Sequence, residues 1–341
     1  MDGDAGEIAR GILTALREAE HVVFTTHITP DGDGFGAALA LMRTVRRMGK
    51  RAEFINCSAS PQNLRFLTRR GEFQVFEPQV HAAVLESADV IVATDLGGAK
   101  RLGRMLEFIQ ASHATKILID HHRYHNDLFD LPLIVESASS TCEITRDLLR
   151  MMGVALDLSL AEPLYAGVVN DTGWFAYDAT TPRVHRLAAE LLECGVQPAK
   201  VWRELHCGQP LNKLHALGSS LAAIQLECGG RLAINIADKS ALKLLGVVPR
   251  DAFEIVNYLL RVRGVEVGLF FFPIDDQRTK VSLRSAGRVD VCELAERHGG
   301  GGHRFAAGCT VEGMNCAAAV TTLVDGLRVV LDRNELPSEE L

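Results

Sequence analysis

The chain alternates short apolar runs with longer stretches whose apolar positions recur at helical spacing. HVVFTT (21–26) gives way to GAALALMRTVRRMG, AEFINC follows at 52–57, DVIVATD (89–95) precedes a helical GRMLEFIQAS, and KILID ends at 120. This rhythm predicts a parallel α/β sheet. TCEITRDLLRMMG reads as a helix, AGVVN as a further strand, and PRVHRLAAELLECG as a helix stopped by Gly195. Residues 196–216 are punctuated by Pro, Gly and polar side chains, which predicts a linker there. Beyond it the rhythm changes. SSLAAIQLEC and RLAINIA around Gly229-Gly230 read as a hairpin, EVGLFFFP and KVSLRS as strands, and AAAVTTLVDGLRVVL as a closing helix. The expectation is an N-terminal domain over 1–195, a linker over 196–216 and a smaller α/β domain over 217–341.

Composition sharpens this picture at three points. A length of 341 residues with 47% hydrophobic content supports two real cores. The net charge of −7, without a Lys/Arg block, excludes a protein that tracks a long nucleic acid such as duplex DNA. Any polyanion it handles is expected to be short. The acidic start MDGDAGEIARG and the lack of a membrane-length apolar run predict a cytoplasmic protein with no membrane partner. Eight scattered cysteines without a CxxC pair read as reduced, small hydrophobes.

Sites in open parallel sheets gather outside the carboxyl ends of the strands. HVVFTT is followed by His27, Asp31 and Asp33; DVIVAT by Asp95; KILI by Asp120, His121 and His122; and AGVVN by Asp171. Taken singly, Asp31 and Asp33 suit a turn or helix cap, Asp95 before Leu-Gly-Gly suits a turn, and Asp171 suits an Asx turn. Two adjacent histidines at a strand exit have little packing value, and coincidence at four chain segments is harder to explain than at one. So many carboxylates in one cleft repel one another unless a cation compensates them. Mixed carboxylate and imidazole donors, without thiolates, suit Mn²⁺, Fe²⁺, Co²⁺ or Zn²⁺. Two ions about 3.5–4 Å apart, bridged by one carboxylate, would use the donors economically.

HITPDGDGFGAALAL, ATDLGG, IDHHRYHN and NDTGWF, in this order, resemble the motifs of the DHH phosphoesterases, and KVSLRS with GGGGHRFAAG resembles the associated DHHA1 substrate domain. The two-domain length is similar to that of the bacterial nanoRNase and pAp phosphatase group, against the larger RecJ-type exonucleases. The resemblance implies that His27, Asp31 and Asp95 hold one metal, and that Asp33, Asp95, His121 and Asp171 hold the other. Mn²⁺ is the implied ion, with Mg²⁺ or Co²⁺ as substitutes. It also implies that Asp120 orients the histidine pair, that His122 faces the scissile phosphate, and that Arg284 and His303 bind substrate phosphate. Ser285 beside Arg284, and Gly300, Gly301 and Gly302 through their backbone N–H groups, complete the expected phosphate grip. Gly36-Ala37 stands where the first motif usually reads Gly-Ser, and Asp95-Leu96-Gly97 where the second often reads Asp-Thr-Gly; neither change removes a ligand. The expected reaction is hydrolysis of short RNA, linear dinucleotides such as pApA, or 3′-phosphoadenosine 5′-phosphate. The rivals are a family II type pyrophosphatase and a catalytically idle nucleotide sensor. A homodimer stays open.

Overall fold

The computed structural model describes residues 3–123, 127–244 and 255–333. The chain forms two compact units, Met1–Gly208 and Gln209–Leu341. The segment 196–216 contains a helix, Pro198–His206, and the first turns of another, Leu211–Ala222. No helix among the described residues is long and apolar enough to cross a membrane.

In the first unit, β1 (His21–Thr26), β2 (Arg51–Asn56), β3 (Phe73–Val75), β4 (Val90–Thr94), β5 (Thr115–Asp120) and β6 (Leu131–Ile134) form one sheet. Their order is β3-β2-β1-β4-β5-β6, and every pairing is parallel. Successive strands of a parallel sheet present alternate residues to two covered faces, which explains why they read as nearly unbroken apolar runs. Val22 and Phe24 of β1 enter one core, against α1 (Gly3–Glu18), α2 (Gly32–Arg47), α5 (Thr141–Met151), α6 (Leu158–Asp171) and α7 (Pro182–Glu193). Val23 enters the other, against α3 (Pro78–Glu86), a 3₁₀ segment Ala99–Met105 and α4 (Leu106–Ala111). The order reverses between β1 and β4. That is the switch point at which carboxyl-end loops diverge and leave a crevice.

AGVVN, expected as a strand, is the C-terminal half of α6. A short apolar run is ambiguous in period, and here the surrounding residues decide for the helix. Asp157 caps its start, accepting from Ser159 and Leu160 N–H. Pro163 lies inside α6 and has no N–H for the Ser159 carbonyl. Arg43 of α2 donates to that carbonyl instead. The two helices also touch backbone to backbone: a Cβ on Gly36 would lie 2.2 Å from the Pro163 oxygen, and one on Gly32 2.9 Å from that of Ala166. As α2 advances its contacts retreat along α6, so the pair is antiparallel and the start of α2 meets the end of α6.

The second unit holds β7 (Gln225–Glu227), β8 (Leu232–Ile236), β9 (Val267–Pro273), β10 (Arg278–Ser285), β11 (Gly301–His303) and β12 (Ala306–Glu312). Their order is β11-β12-β10-β9-β8-β7, antiparallel except for β8 with β9. The expected hairpin around Gly229-Gly230 is β7 with β8. Val281 and Leu283 face a core shared with helices Val291–Glu296 and Cys316–Arg333, while Phe270 and Phe272 face a second core on the opposite side.

Arg43 also donates from Nε and Nη2 to the Glu72 carboxylate and from Nη2 to the Leu67 carbonyl. Both members of this ion pair are buried. Burial pushes the Glu72 carboxyl up, but Arg43 and the Arg69 N–H outweigh it and hold it below its ordinary value. Arg43→Ala should cost about 3–5 kcal/mol in urea unfolding, because it strands a buried carboxylate, and Arg43→Met with Glu72→Leu should recover most of that. Since folding lowers the Glu72 pKa, the pair's stabilisation is present above the ordinary Glu value of about 4.3 and fades as pH falls through the folded value. The cost of Arg43→Ala should therefore shrink in acid. A cost that is the same at neutral and acid pH would contradict this account.

Candidate metal centre

Register fixes the height at which the three central strands deliver their exit residues. Thr26 pairs with Thr94, and Thr94 with Ile119, so His27, Asp95 and Asp120 leave the sheet at one level. Asp95 adopts a left-handed backbone, φ 52°, its N–H donating to the Ile119 carbonyl. Asp is among the few side chains that tolerate this region. The turn it starts is held by Asp120, which is fully buried: Asp120 Oδ2 accepts from Leu96 and Gly97 N–H at 2.8 Å each. Its Oδ1 accepts from the His122 N–H at 2.9 Å and from His122 Nδ1 at 2.8 Å. One carboxylate thus ties the β4 exit to the β5 exit and fixes the His122 ring.

The other imidazoles are fixed through Nδ1 as well. His27 Nδ1 donates to the Ile28 carbonyl at 2.8 Å, and His121 Nδ1 to the Ala138 carbonyl at 3.3 Å. A proton on Nδ1 leaves Nε2 with the lone pair that a metal takes. His27 Nε2 lies 3.6 Å from Asp31 Oδ2 and 3.5 Å from Asp95 Oδ2. His121 Nε2 lies 3.6 Å from Asp95 Oδ1 and 3.1 Å from Asp171 Oδ2. The two oxygens of Asp95 therefore face two different groups, His27/Asp31/Asp95 on one side and Asp33/His121/Asp171 on the other, and each group has donor atoms within 4.8 Å of one another. Asp95 Oδ1 also stands 3.2 Å from His122 Nδ1.

Asp31 does double duty. Its Oδ1 caps α2, accepting from Asp33 and Gly34 N–H, while Oδ2 faces His27. Asp33 is fully buried, and its two oxygens accept from Thr141 N–H at 2.6 Å and Cys142 N–H at 2.8 Å, the first amides of α5. These amides are functional groups that reading the side chains alone passes over. Their signal was the capping sequence Ser140-x-x-Glu143, which starts a helix where its N–H groups point at the cluster.

Electrostatics give the cluster its character. Burial pulls all three imidazoles toward the neutral form, yet the carboxylates outweigh it. His27 is pushed up to about 10 by Asp31 and Asp95, His121 to about 10 by Asp171 and Asp33, and His122 to about 9 by Asp120 and Asp95. Burial and neighbouring carboxylates push Asp33 well above the usual carboxylate range, and Asp171 rises too against its hydrogen bond to His121. Asp95 goes the other way, because His122 and His27 outweigh its burial. Among the described residues, buried His27 Nε2 and Asp95 Oδ1 find no hydrogen-bond partner of good geometry. Orphaned donor atoms in a carboxylate cage, with imidazoles retaining protons only because acids crowd them, fit a divalent cation.

Comparison with known proteins agrees with this architecture. Residues 21–168 match the N-terminal domain of the DHH family and residues 240–328 the DHHA1 domain. The sequence is 30% identical to the bifunctional oligoribonuclease and PAP phosphatase NrnA of Thermus thermophilus, over 98% of this chain and 99% of that protein. The chain belongs to the DHH family. It is 28% identical to the protein of the same name from Bacillus subtilis, over 88% of this chain and 92% of that one. The fold superposes on an exopolyphosphatase-related protein from Bacteroides fragilis with a TM-score of 0.89 at 24% identity, covering 96% of this chain and 98% of that structure. Asp120-His121-His122 is the triplet for which the DHH family is named.

In the DHHA1 unit, Arg284 and His303 occupy one row. Both pair with Ala306, Arg284 from β10 and His303 from β11, so their side chains leave the same face of the sheet across a small residue. Arg284 Nε donates to Asn257 Oδ1 at 2.9 Å. Ser285 is buried and its Oγ accepts from Gly287 N–H. The glycine run is structured rather than a loose cradle. Gly299 N–H bonds the Glu296 carbonyl and Gly300 N–H the Ala295 carbonyl, with Gly299 at φ 69°, the pattern that ends a helix at a left-handed glycine. Gly301 and Gly302 are strand residues paired with Gly308 and Ala307.

A cation entering the cluster replaces protons, which gives a direct test. Titrating Mn²⁺ into metal-free protein near neutral pH should release protons, because imidazoles with pKa values of about 9–10 are charged there. Affinity should tighten as pH rises. Calorimetry in buffers of different ionisation enthalpy reads the release; a heat that is independent of buffer would exclude displacement of imidazole protons.

Proposed function

We propose that this chain hydrolyses short oligoribonucleotides, linear dinucleotides such as pApA, and 3′-phosphoadenosine 5′-phosphate. The reading rests on one observation above the rest: the carboxylate of Asp95 stands between two His/Asp groups, the arrangement in which one ligand bridges two ions. The full-length likeness to the Thermus and Bacillus oligoribonuclease and PAP phosphatase supports the substrate class. His27, Asp31 and Asp95 hold one ion, and Asp33, Asp95, His121 and Asp171 the other, with Mn²⁺ the preferred metal for this oxygen and imidazole donor set. Two such ions would supply a water acidic enough to attack at neutral pH and would compensate the charge that builds on the phosphoryl oxygens.

The side chains do the rest. Asp120 holds the His122 ring by Nδ1, so that His122 can deliver a proton to the leaving oxygen. Arg284 and His303 of the DHHA1 unit, residues 217–341, take a phosphate of the substrate, Arg284 through its planar fork. Gly300, Gly301 and Gly302 contribute by keeping side chains out of the way, and Ser285 by fixing the turn behind Arg284. In this reading the domain at 1–195 binds the metals and the domain at 217–341 holds the nucleotide.

Hydrolysis of pyrophosphate, 3′-phosphoadenosine 5′-phosphate, pApA and RNA trimers with Mn²⁺ should proceed on the nucleotides and stop with EDTA. Activity on pyrophosphate alone would make the chain a pyrophosphatase, and binding without turnover a sensor. Asp95→Ala should abolish turnover, while Arg284→Ala should mainly raise KM. Specific activity should be highest on about two to five nucleotides, since extra RNA must be ordered for little added contact. A preference for long single strands over trimers at matched salt would overturn the short-substrate reading and leave the metal chemistry standing.

A further inference from the structure

Beside the metal cluster lies a cation that the ligand set does not include. Arg101 sits on the 3₁₀ segment Ala99–Met105, which follows the β4 exit. Its backbone is pinned: the Arg101 carbonyl accepts from Ile28 N–H at 2.7 Å, and the neighbouring Leu102 and Met105 are fully buried. The same link ties Arg101 to the loop that carries His27. The side chain is aimed as well. Arg101 Nη1 donates to the Leu96 carbonyl at 3.2 Å, one residue beyond Asp95.

Gly97 shows where the guanidinium points. A Cβ built on Gly97 would lie 3.1 Å from Arg101 Nη1 and 3.3 Å from His122 Cδ2, so the guanidinium and the His122 ring flank one glycine. Gly97 holds φ 60° and lends its N–H to Asp120. Arg101 therefore shares the turn that carries Asp95 and orients His122.

Arg101 nevertheless makes no ion pair among the described residues, although Asp95 begins this turn and Asp120 accepts from its Leu96 and Gly97 N–H groups. Those carboxylates are committed to backbone N–H groups and imidazoles. A guanidinium that is half-buried, held by a single neutral carbonyl and passed over by nearby acids retains most of its hydrogen-bonding fork for an anion. Arginine matches phosphate geometry with two parallel N–H bonds.

We propose that Arg101 binds a non-bridging oxygen of the phosphate that occupies the metal centre, on the side of His122. The role rests on the phosphoesterase reading above. It differs from the part given to Arg284, because Arg101 lies in the same unit as the metal ligands and touches the phosphate undergoing attack. Fixed donors aimed at developing charge act without reorganisation, so the interaction strengthens in the transition state.

The decisive variant is Arg101→Gln, which keeps a neutral donor for the Leu96 carbonyl and removes the charge; Arg101→Lys keeps the charge and loses the fork. Arg104→Gln, an exposed neighbour whose guanidinium lies over Phe76, is the control. Three quantities are read: Mn²⁺ affinity of metal-free protein together with the thermal midpoint, calorimetric binding of inorganic phosphate to Mn²⁺-loaded protein, and kinetics of the loaded protein on pApA. Arg101→Gln should leave the first unchanged, weaken phosphate roughly tenfold or more, and lower kcat on the order of 100-fold. Arg101→Lys should fall between it and the wild type, and Arg104→Gln should match the wild type.

Unaltered phosphate affinity in Arg101→Gln overturns the proposal. So does joint loss of metal affinity, thermal midpoint and phosphate binding, which marks a strut for the turn. Wild-type protein that takes up no phosphate with Mn²⁺ bound overturns the anion site outright. Phosphate binding that depends on Arg101 in a protein that hydrolyses no nucleotide would instead keep this site and reject the phosphoesterase reading.

Discussion

Repulsion among aspartates gathered at one sheet edge is the constraint to which the surrounding structure answers. Each acid has its own compensation. Asp31 accepts from the first amides of α2, Asp33 from those of α5, and Asp120 from the Leu96, Gly97 and His122 N–H groups. Asp95 lies among imidazoles, and Asp171 takes His121 on one oxygen and Asn170 Nδ2 on the other. Two of these supports are helix N-termini, where backbone dipoles favour negative charge. Compensation is least complete at Asp33 and Asp171, which are both pushed upward. The repulsion left among the acids is what a divalent cation would relieve.

Such an arrangement depends on backbones approaching more closely than ordinary side chains allow. Asp33 belongs to the first turn of α2 and Asp171 to the last turn of α6, so the antiparallel contact of these helices sets their separation. Glycine makes that contact at Gly32 and Gly36. Gly167 does the same on α6, where a Cβ would lie 2.3 Å from Cys142 Sγ and 2.9 Å from Asp33 Cα. A methyl group there would push α6 away from Asp33 and α5. Arg43 secures the far end of the same contact by satisfying the carbonyl that Pro163 leaves without a donor. Stability and site geometry are thus properties of one helix interface.

The centre of the sheet was legible in the sequence because β1 and β4 are buried on both faces and bounded by polar exits, HVVFTT coinciding with β1 residue for residue, whereas the short, half-exposed edge strands β3 and β6 left no such run. The candidate ligands were legible for the same reason, since chemistry at strand exits interrupts an apolar rhythm. Asp171 was found by the wrong route. AGVVN has the content of a strand, and only the Asp157 cap and the distant partner Arg43 reveal a helix, the second being invisible to local pattern. Arg101 escaped notice because its position depends on the link between the β4 exit and the His27 loop, which no spacing encodes. The amides of α5 escaped because backbone donors have no residue type.

The glycine run at 299–302 illustrates how motif and role can separate. A phosphate cradle and a structural turn ask for the same residue, and here the structural demands are already heavy. Gly299 needs its left-handed φ to end a helix, while a Cβ at Gly300 would lie 2.2 Å from the Gly308 oxygen and one at Gly302 2.5 Å from that of Ala306. Replacing these glycines would therefore disturb the helix cap and the β11–β12 hairpin whatever they bind. Arg284 and His303 lie near strand ends on one row, separated by Ala306, and Arg284 is already engaged with Asn257 Oδ1. The demand of the fold for Gly299, Gly300 and Gly302 is thus independent of any phosphate they contact, so a substitution at one of them cannot by itself separate binding from folding.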